Sequence, residues 1–203
     1  MRDPVLDGYA AAASDLTDRF ERISSQDLFA PVVDFLPRSA SRVLDVGAGT
    51  GRDAAWFAAR GHAVVAVEPV EPLRAAGRRL HPHPRITWQD ATLPALADFK
   101  AEPFDLIVVV AVWHHLRRTD RGQALRRLAE VLKPNGRLII SIREGASAPD
   151  RVGYSADVSQ TVAMAHEAGM AVVHKATTPS VQTQNKDADV AWTWLVLEAS
   201  APL

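Results

Sequence analysis

The sequence predicts an α/β fold, a doubly wound and mostly parallel sheet with helices on both faces. Three observations carry that expectation. Short apolar runs alternate with helical patterns from residue 40 to residue 142, the signature of strands joined by helical crossovers. The runs are nearly unbroken aliphatic stretches, LIVVV at 106–110 among them, as strands buried on both faces require. The last two strand patterns have no helix between them, so they are expected to pair antiparallel at the sheet edge.

The elements follow in order. Ala12, Leu16, Phe20 and Ile23 form one apolar helical stripe in residues 8–36. Ser24-Ser25 stops that helix and caps a second one, with Asp27 in its first turn and Pro37 at its end. Strands are expected at Arg42–Val46, Ala63–Glu68, Ile86–Asp90, Phe104–Val110 and Arg137–Ile142. Helices are expected at 52–60, 71–80 and 120–132, with a short one at 94–99. Gly61 closes the first of these helices, and Pro72 sits near the start of the second. Pro134-Asn135-Gly136 reads as a turn just before the fifth strand. After a helix near 156–168 come strands at Met170–Lys175 and Val190–Ala199. In the last run Val190, Trp192, Trp194 and Val196 alternate onto one face, where the tryptophans read as core or edge packing.

Composition narrows the chemistry. The chain has 203 residues, enough for one domain with a core that needs no staples. Cysteine is absent, which excludes disulfides, thiolate nucleophiles and cysteine-ligated metal sites. The formal net charge of -1 argues against a dedicated nucleic-acid binder. Arg117–Arg151 nevertheless carries nine basic and four acidic residues, read as a solvated helix face or a docking surface for an anion. Asp3 and Asp7 interrupt the N-terminus and no apolar run approaches a membrane span, so a cytoplasmic protein is expected. No metal cluster stands out, His81-Pro82-His83 being a short pair in a Pro-containing turn.

The most informative stretch is VLDVGAGTGRDAAWFAARG. A buried strand ends at Asp45-Val46, and Gly47, Gly49 and Gly51 occupy alternate positions before a helix begins. Glycines there allow a tight turn and a close approach of backbone to ligand. Glu68 ends the next strand 21 residues after Gly47, where a carboxylate can accept hydrogen bonds from ribose hydroxyls. A dinucleotide site wants G-x-G-x-x-G and no acid beside the helix N-terminus; here Arg52 takes the sixth position and Asp45 precedes the loop. An acid at 45 suits a cation such as the amino group of a methionyl moiety.

Further along, Asp90 closes the third strand in ITWQDATL, and FDLIVVVAVWHHL empties a fourth strand into a Trp-His-His cluster. With these residues in order, the chain resembles the class I S-adenosylmethionine-dependent methyltransferases, especially their small-molecule branch. VLDVGAGTG is similar to that family's D-x-G-x-G-x-G loop, Glu68 to its ribose-binding acid and Asp90-Ala91 to its adenine-side acid. LAEVLKPNGRLIISI resembles the helix, turn and fifth strand that follow. The resemblance implies a seven-stranded sheet in the order 3-2-1-4-5-7-6 with strand 7 antiparallel. It also implies cofactor contacts from Asp45, Gly47, Ala48, Gly49, Glu68, Pro69, Asp90, Ala91 and Val110. On this basis residues 1–39 are expected to form a helical lid, 40–142 a cofactor-binding core, and 143–203 a substrate-side loop, helix and strand pair. Tyr9 and Arg19 fall in the lid, which in relatives commonly covers the cofactor.

A sulfonium methyl is already electrophilic, so the protein's tasks are alignment, exclusion of water and removal of a proton. His114 and His115 are the candidates for the base, because imidazole titrates near neutrality, and the resemblance favours His115. Trp113, Arg143 and Tyr154 are the candidates for the acceptor side, Arg143 as a bidentate partner for a carboxylate or phosphate. The expected reaction is methyl transfer to oxygen or nitrogen of a small molecule, with S-adenosylhomocysteine as product. Two alternatives stay open: a cofactor-binding but inactive interaction module, and a nucleic-acid or protein methyltransferase. Val110-Ala111-Val112-Trp113 lacks the Asn/Asp-Pro-Pro-aromatic signature of base amino methylases. Acceptor identity and oligomeric state are not readable from the sequence.

Overall fold

The computed structural model describes residues 3–96, 102–145 and 152–199. The N-terminal segment folds as α1 (Pro4–Ala11), α2 (Ala13–Glu21), α3 (Ser25–Phe29) and a 3-10 turn over Ala30–Phe35. Asp3 caps α1 by accepting the Val5 N–H at 2.9 Å, and Ser24 caps α3 by accepting that of Asp27. The two helices expected over 8–36 are thus three helices and a 3-10 turn, because the chain breaks at Ala12 and Pro31 replaces α-helical with tighter turns.

Then come β1 (Arg42–Val46), α4 (Arg52–Ala59), β2 (Ala63–Val67), α5 (Glu71–Leu80), β3 (Ile86–Gln89) and β4 (Phe104–Val109). A 3-10 turn at Trp113–His115 leads to α6 (Arg118–Glu130) and β5 (Leu132–Glu144). The tail is α7 (Val158–Glu167), β6 (Met170–Pro179), α8 (Thr183–Lys186) and β7 (Ala191–Ala199). The seven strands form one sheet in the order β3-β2-β1-β4-β5-β7-β6. β1 to β5 pair parallel, and β7 runs antiparallel to both β5 and β6.

One boundary differs instructively. The Pro-Asn-Gly stretch lies inside β5 rather than before it: Phe104 pairs with Leu132 and Leu106 with Arg137, so the three residues bulge out of a continuous strand. Asn135 takes the left-handed conformation that such a bulge needs (φ 60°). Part of the helix expected at 94–99 lies outside the described residues, and residues 93–95 form a turn.

Alternation distributes the core. Val43, Val64, Leu106, Val108, Ile139, Trp194 and Val196 face Phe29, Val32 and α4's Phe57. Leu44, Val65, Ile107, Val109, Leu138, Ile140 and Leu195 face Leu125 and Leu128 of α6 and Ala165 of α7. Each fully buried aliphatic side chain contributes roughly 1.5–3 kcal/mol of transfer free energy. The two cores sandwich the sheet and leave its carboxyl edge open. Among the described residues no helix is long and apolar enough to cross a membrane.

The β3 edge is held by Trp88, whose ring fills the space above Gly77 of α5; a Cβ there meets Trp88 Cη2 at 2.3 Å and the Thr50 carbonyl oxygen at 2.7 Å. Helix propensity alone makes Gly-to-Ala favourable by about 1 kcal/mol. Gly77→Ala is nevertheless expected to lower stability by about 1–3 kcal/mol through overpacking, read by urea denaturation; a variant as stable as the parent contradicts this packing.

Candidate active site

The carboxyl edge of the sheet holds a cavity of about 440 Å³, within the usual range for small-ligand sites. It lies where β1 and β4 diverge in topology, the switch point at which open α/β sheets bind ligands. Its floor is the glycine loop. The N–H groups of Gly47 and Ala48 donate to the Val67 carbonyl at 2.8 and 3.0 Å, tying the loop to the end of β2. Gly47 adopts φ +73°, and a Cβ on it meets Val112 Cγ2 at 2.3 Å, so only glycine fits beneath the strand-4 exit.

Glu68 continues past β2. One of its carboxylate oxygens accepts the Gly49 N–H and the other the Val70 N–H, each at 2.8 Å. Burial pushes its pKa up, against the lowering effect of these two amides and of Arg74. Every carboxylate oxygen has a second lone pair, so two bonds leave capacity for further donors. Asp45, at the end of β1, is 3% exposed, and its Oδ2 has no hydrogen-bond partner among the described residues. Burial above all, then repulsion from Asp53 and Glu68, holds its pKa well above the carboxylate range; Arg52 and the Ala54 amide oppose this. An ionised, unpartnered buried oxygen costs on the order of 1–3 kcal/mol or more. Such an oxygen can accept a hydrogen bond from a cationic donor.

Several side-chain contacts fasten the N-terminal helices to the rest of the site. Arg52 pairs with Asp53 at 2.7 Å and donates to the Phe20 carbonyl at 3.0 Å, joining α4 to the end of α2. Glu21 accepts the Thr50 hydroxyl and meets His81 Nε2 at 3.0 Å. Tyr9 reaches across to His115, with its hydroxyl 2.8 Å from Nε2. His115 Nδ1 lies 2.7 Å from the Val152 carbonyl. A carbonyl only accepts, so Nδ1 bears the proton and Nε2 presents its lone pair to the Tyr9 hydroxyl. Arg19 of α2, half-buried, makes no hydrogen bond or ion pair among the described residues.

The cavity brings together Asp45, Gly47, Ala48, Gly49, Glu68, Pro69, Ala91 and Val110 with Tyr9, Arg19, His114, His115 and Arg143. Three expected residues lie elsewhere. The Asp90 side chain is 67% exposed and does not line the cavity; Arg74 of α5 holds it at 3.0 Å, and the same guanidinium donates to the Glu68 carbonyl. Trp113 is fully buried in the opposite core, because the 3-10 turn rotates it beneath the sheet, where its indole N–H donates to Thr161 at 3.1 Å. Tyr154 stands outside the cavity: its N–H donates to the His114 carbonyl at 2.7 Å, its own carbonyl accepts from Arg121, and Arg117 lies over its ring. Its place is behind His114.

The sequence reading also missed part of the wall. The substrate side was expected from 143–203 as a whole, of which 146–151 and 200–203 lie outside the described residues, and the wall residues of its strand pair were not singled out. The connection from β6 to β7 contributes Ser180, Gln182 and Asn185, and β7 contributes Trp192 and Trp194. The available signal was the antiparallel direction of β7, which carries residues 191–192 to the open edge.

Comparison with known proteins agrees with this geometry. Residues 44–140 match the family model described as a methyltransferase domain. An uncharacterized methyltransferase of Mycobacterium bovis is 30% identical over 160 residues, covering 78% of this chain and 60% of its own. The demethylmenaquinone methyltransferase of Streptomyces avermitilis is 32% identical over 141 residues, 69% of this chain and 57% of its own. The chain thus spans less than two thirds of these curated relatives. Among solved structures, the 1,6-didemethyltoxoflavin-N1-methyltransferase of Burkholderia thailandensis superposes with a TM-score of 0.73 at 22% identity, over 98% of this chain and 88% of that one. Residues 44–140 thus match a methyltransferase-domain model, and the sheet order is that of the Rossmann-like class I methyltransferase fold.

Because burial raises the Asp45 pKa above its unfolded value of 3.8, the folded state binds more protons over that interval and loses stability as pH rises. Asp45→Asn removes the charge and keeps the shape. At neutral pH it is expected to be more stable by about 1 kcal/mol, or roughly 2–4 °C in melting temperature, with the gain vanishing below pH 3.8. A variant that melts below the parent at neutral pH contradicts the unpartnered-carboxylate description.

Proposed function

We propose that this chain transfers the methyl group of S-adenosylmethionine to an oxygen or nitrogen of a small-molecule acceptor, leaving S-adenosylhomocysteine. The observation that carries the reading is the buried Asp45 carboxylate with an unpartnered oxygen, set in a glycine cradle. The donor set fits the cofactor end to end. Asp45 suits its α-ammonium, and Arg19, without an ion partner among the described residues, suits its carboxylate. Glu68 retains lone pairs for ribose hydroxyls, and Pro69, Ala91 and Val110 form an apolar surround for the adenine. Asp90 acts at one remove in this reading, oriented by Arg74 outside the cavity wall.

When bound, the cofactor supplies a methyl on a cationic sulfur, which accepts the C–S electrons and becomes a neutral thioether. The residues of the strand-4 exit then have two tasks. Val112, His114 and the lid keep water from the reacting atoms. The acceptor's proton leaves through the Tyr9 hydroxyl, which takes it as its own passes to His115 Nε2; the Val152 carbonyl at 2.7 Å steadies the resulting imidazolium. Residues 1–39 serve as lid, 40–142 as cofactor core and 143–203 as acceptor side. A reducing, cytoplasmic setting suits a chain without cysteine.

Calorimetry with S-adenosylhomocysteine tests the reading. The protein is expected to bind it, and Asp45→Ala or Glu68→Ala to weaken binding about 100-fold or more, as for loss of a charge-assisted contact; no binding by the folded parent contradicts it. With an acceptor that turns over, His115→Gln is expected to lower kcat about 100-fold while S-adenosylhomocysteine affinity stays within about twofold. Loss of that affinity instead makes His115 a cofactor contact rather than a base.

A further inference from the structure

We infer that the acceptor is a planar aromatic ring bearing an anionic oxygen, seated against Trp192 with its charge toward Arg143. The inference rests on the methyltransferase reading and adds the substrate class to it. Its basis is the register of the last three strands. Arg143 of β5 pairs directly with Trp192 of β7, and Trp192 pairs with Thr178 of β6. Directly paired residues project from the same face of a sheet. Arg143, Trp192 and Thr178 therefore form one row across β5, β7 and β6, at the open edge, and all three line the cavity.

The row presents an aromatic wall that leads to the proposed base. The Trp192 and His114 rings meet edge-on at 5.7 Å and 69°, and the His114 and His115 centroids are 4.0 Å apart. A flat ring packed along this wall gains aromatic contacts that a puckered or branched acceptor loses. It also brings a ring substituent toward His115, where a proton is to be removed. Arg143 stands over the same indole, its guanidinium carbon 5.7 Å from the centroid. The Asn185 amide oxygen accepts from both Arg143 Nη groups at 3.4 and 3.5 Å, which turns the guanidinium fork to the cavity wall, and such a fork matches an anionic oxygen by charge-assisted bonds of about 2.7–2.9 Å.

Charge is segregated along the cavity. Its glycine-loop half carries Asp45, Asp53 and Glu68, matching a cationic cofactor. Among the described residues, the strand ends of β5, β6 and β7 and the β6–β7 connection add no carboxylate to the lining. The lid adds Asp3 and Asp27, both exposed. An ammonium acceptor at the Trp192 row meets Arg143 with like charge; an anion meets it with opposite charge.

The test titrates protein saturated with S-adenosylhomocysteine, by calorimetry, with four probes: 4-hydroxybenzoate, cyclohexanecarboxylate, phenol and ethanolamine. The expected order has 4-hydroxybenzoate bound at least tenfold more tightly than the other three. Trp192→Leu is expected to erase its advantage over cyclohexanecarboxylate, and Arg143→Met its advantage over phenol, with S-adenosylhomocysteine affinity retained in both as the check on folding. Equal or tighter binding of cyclohexanecarboxylate or ethanolamine, no binding of 4-hydroxybenzoate, or variants that keep the parental preferences would overturn the inference. These outcomes presuppose cofactor-product binding and leave the methyltransferase reading standing. Failure of the parent to bind S-adenosylhomocysteine overturns both together.

Discussion

Burying a carboxylate with one oxygen unpartnered is unfavourable, and among the described residues this sheet does it at Asp45, where its ligand crevice opens. Asp45 is carried out of water by β1, beside Glu68 at the end of β2 and Asp53 in the first turn of α4. Arg52 compensates only partly, because its guanidinium is shared between Asp53 and the Phe20 carbonyl. The arrangement persists because the rest of the fold over-determines it: five aliphatic strands fix the end of β1, and the glycine loop is pinned by three amides to Val67 and Glu68. Protonation of Asp45, or a cation paired with it, offsets that cost.

The same topology explains how the two halves of the cavity acquire opposite character. Parallel strands place their carboxyl ends together, and β1 and β2 deliver acids there. β7 enters reversed, so its first residues, not its last, reach that edge, and they bring Trp192 opposite Arg143. Helix α1 meets the strand-4 exit at the junction through Tyr9 and His115. Reversal of one strand thus supplies an aromatic and cationic surface beside an acidic one without any inserted domain.

Much of this was legible in the residues. The strand limits of β1 and the helix at 71–80 follow from periodicity and punctuation, the sheet order was implied by the family resemblance, and Asp45 and the glycines of the loop sit within one local stretch of chain. What stayed hidden depends on rotation or on distant pairing. Trp113 is one residue from the cavity in sequence, yet a 3-10 turn sends its indole into the opposite core. Asp90 ends a strand as expected, but Arg74, 16 residues earlier, draws it outward. Tyr154 supports the His114 backbone from behind, a contact no spacing announces. Trp192 and Trp194 were readable as one face of a strand; which end of the sheet that face served required the register of β5 with β7.

The central claim is that burial disfavours the ionised form of Asp45 and that a paired ammonium would favour it, and proton counting addresses it most directly. Binding enthalpies of S-adenosylhomocysteine measured in buffers of differing ionisation heat, between about pH 5 and 8, give the protons exchanged on association. Pairing with an ammonium favours the ionised carboxylate, so the protein should release protons on binding, and Asp45→Asn, in so far as it still binds, should not. Proton uptake, no exchange at any pH, or release undiminished in the asparagine variant would contradict the account.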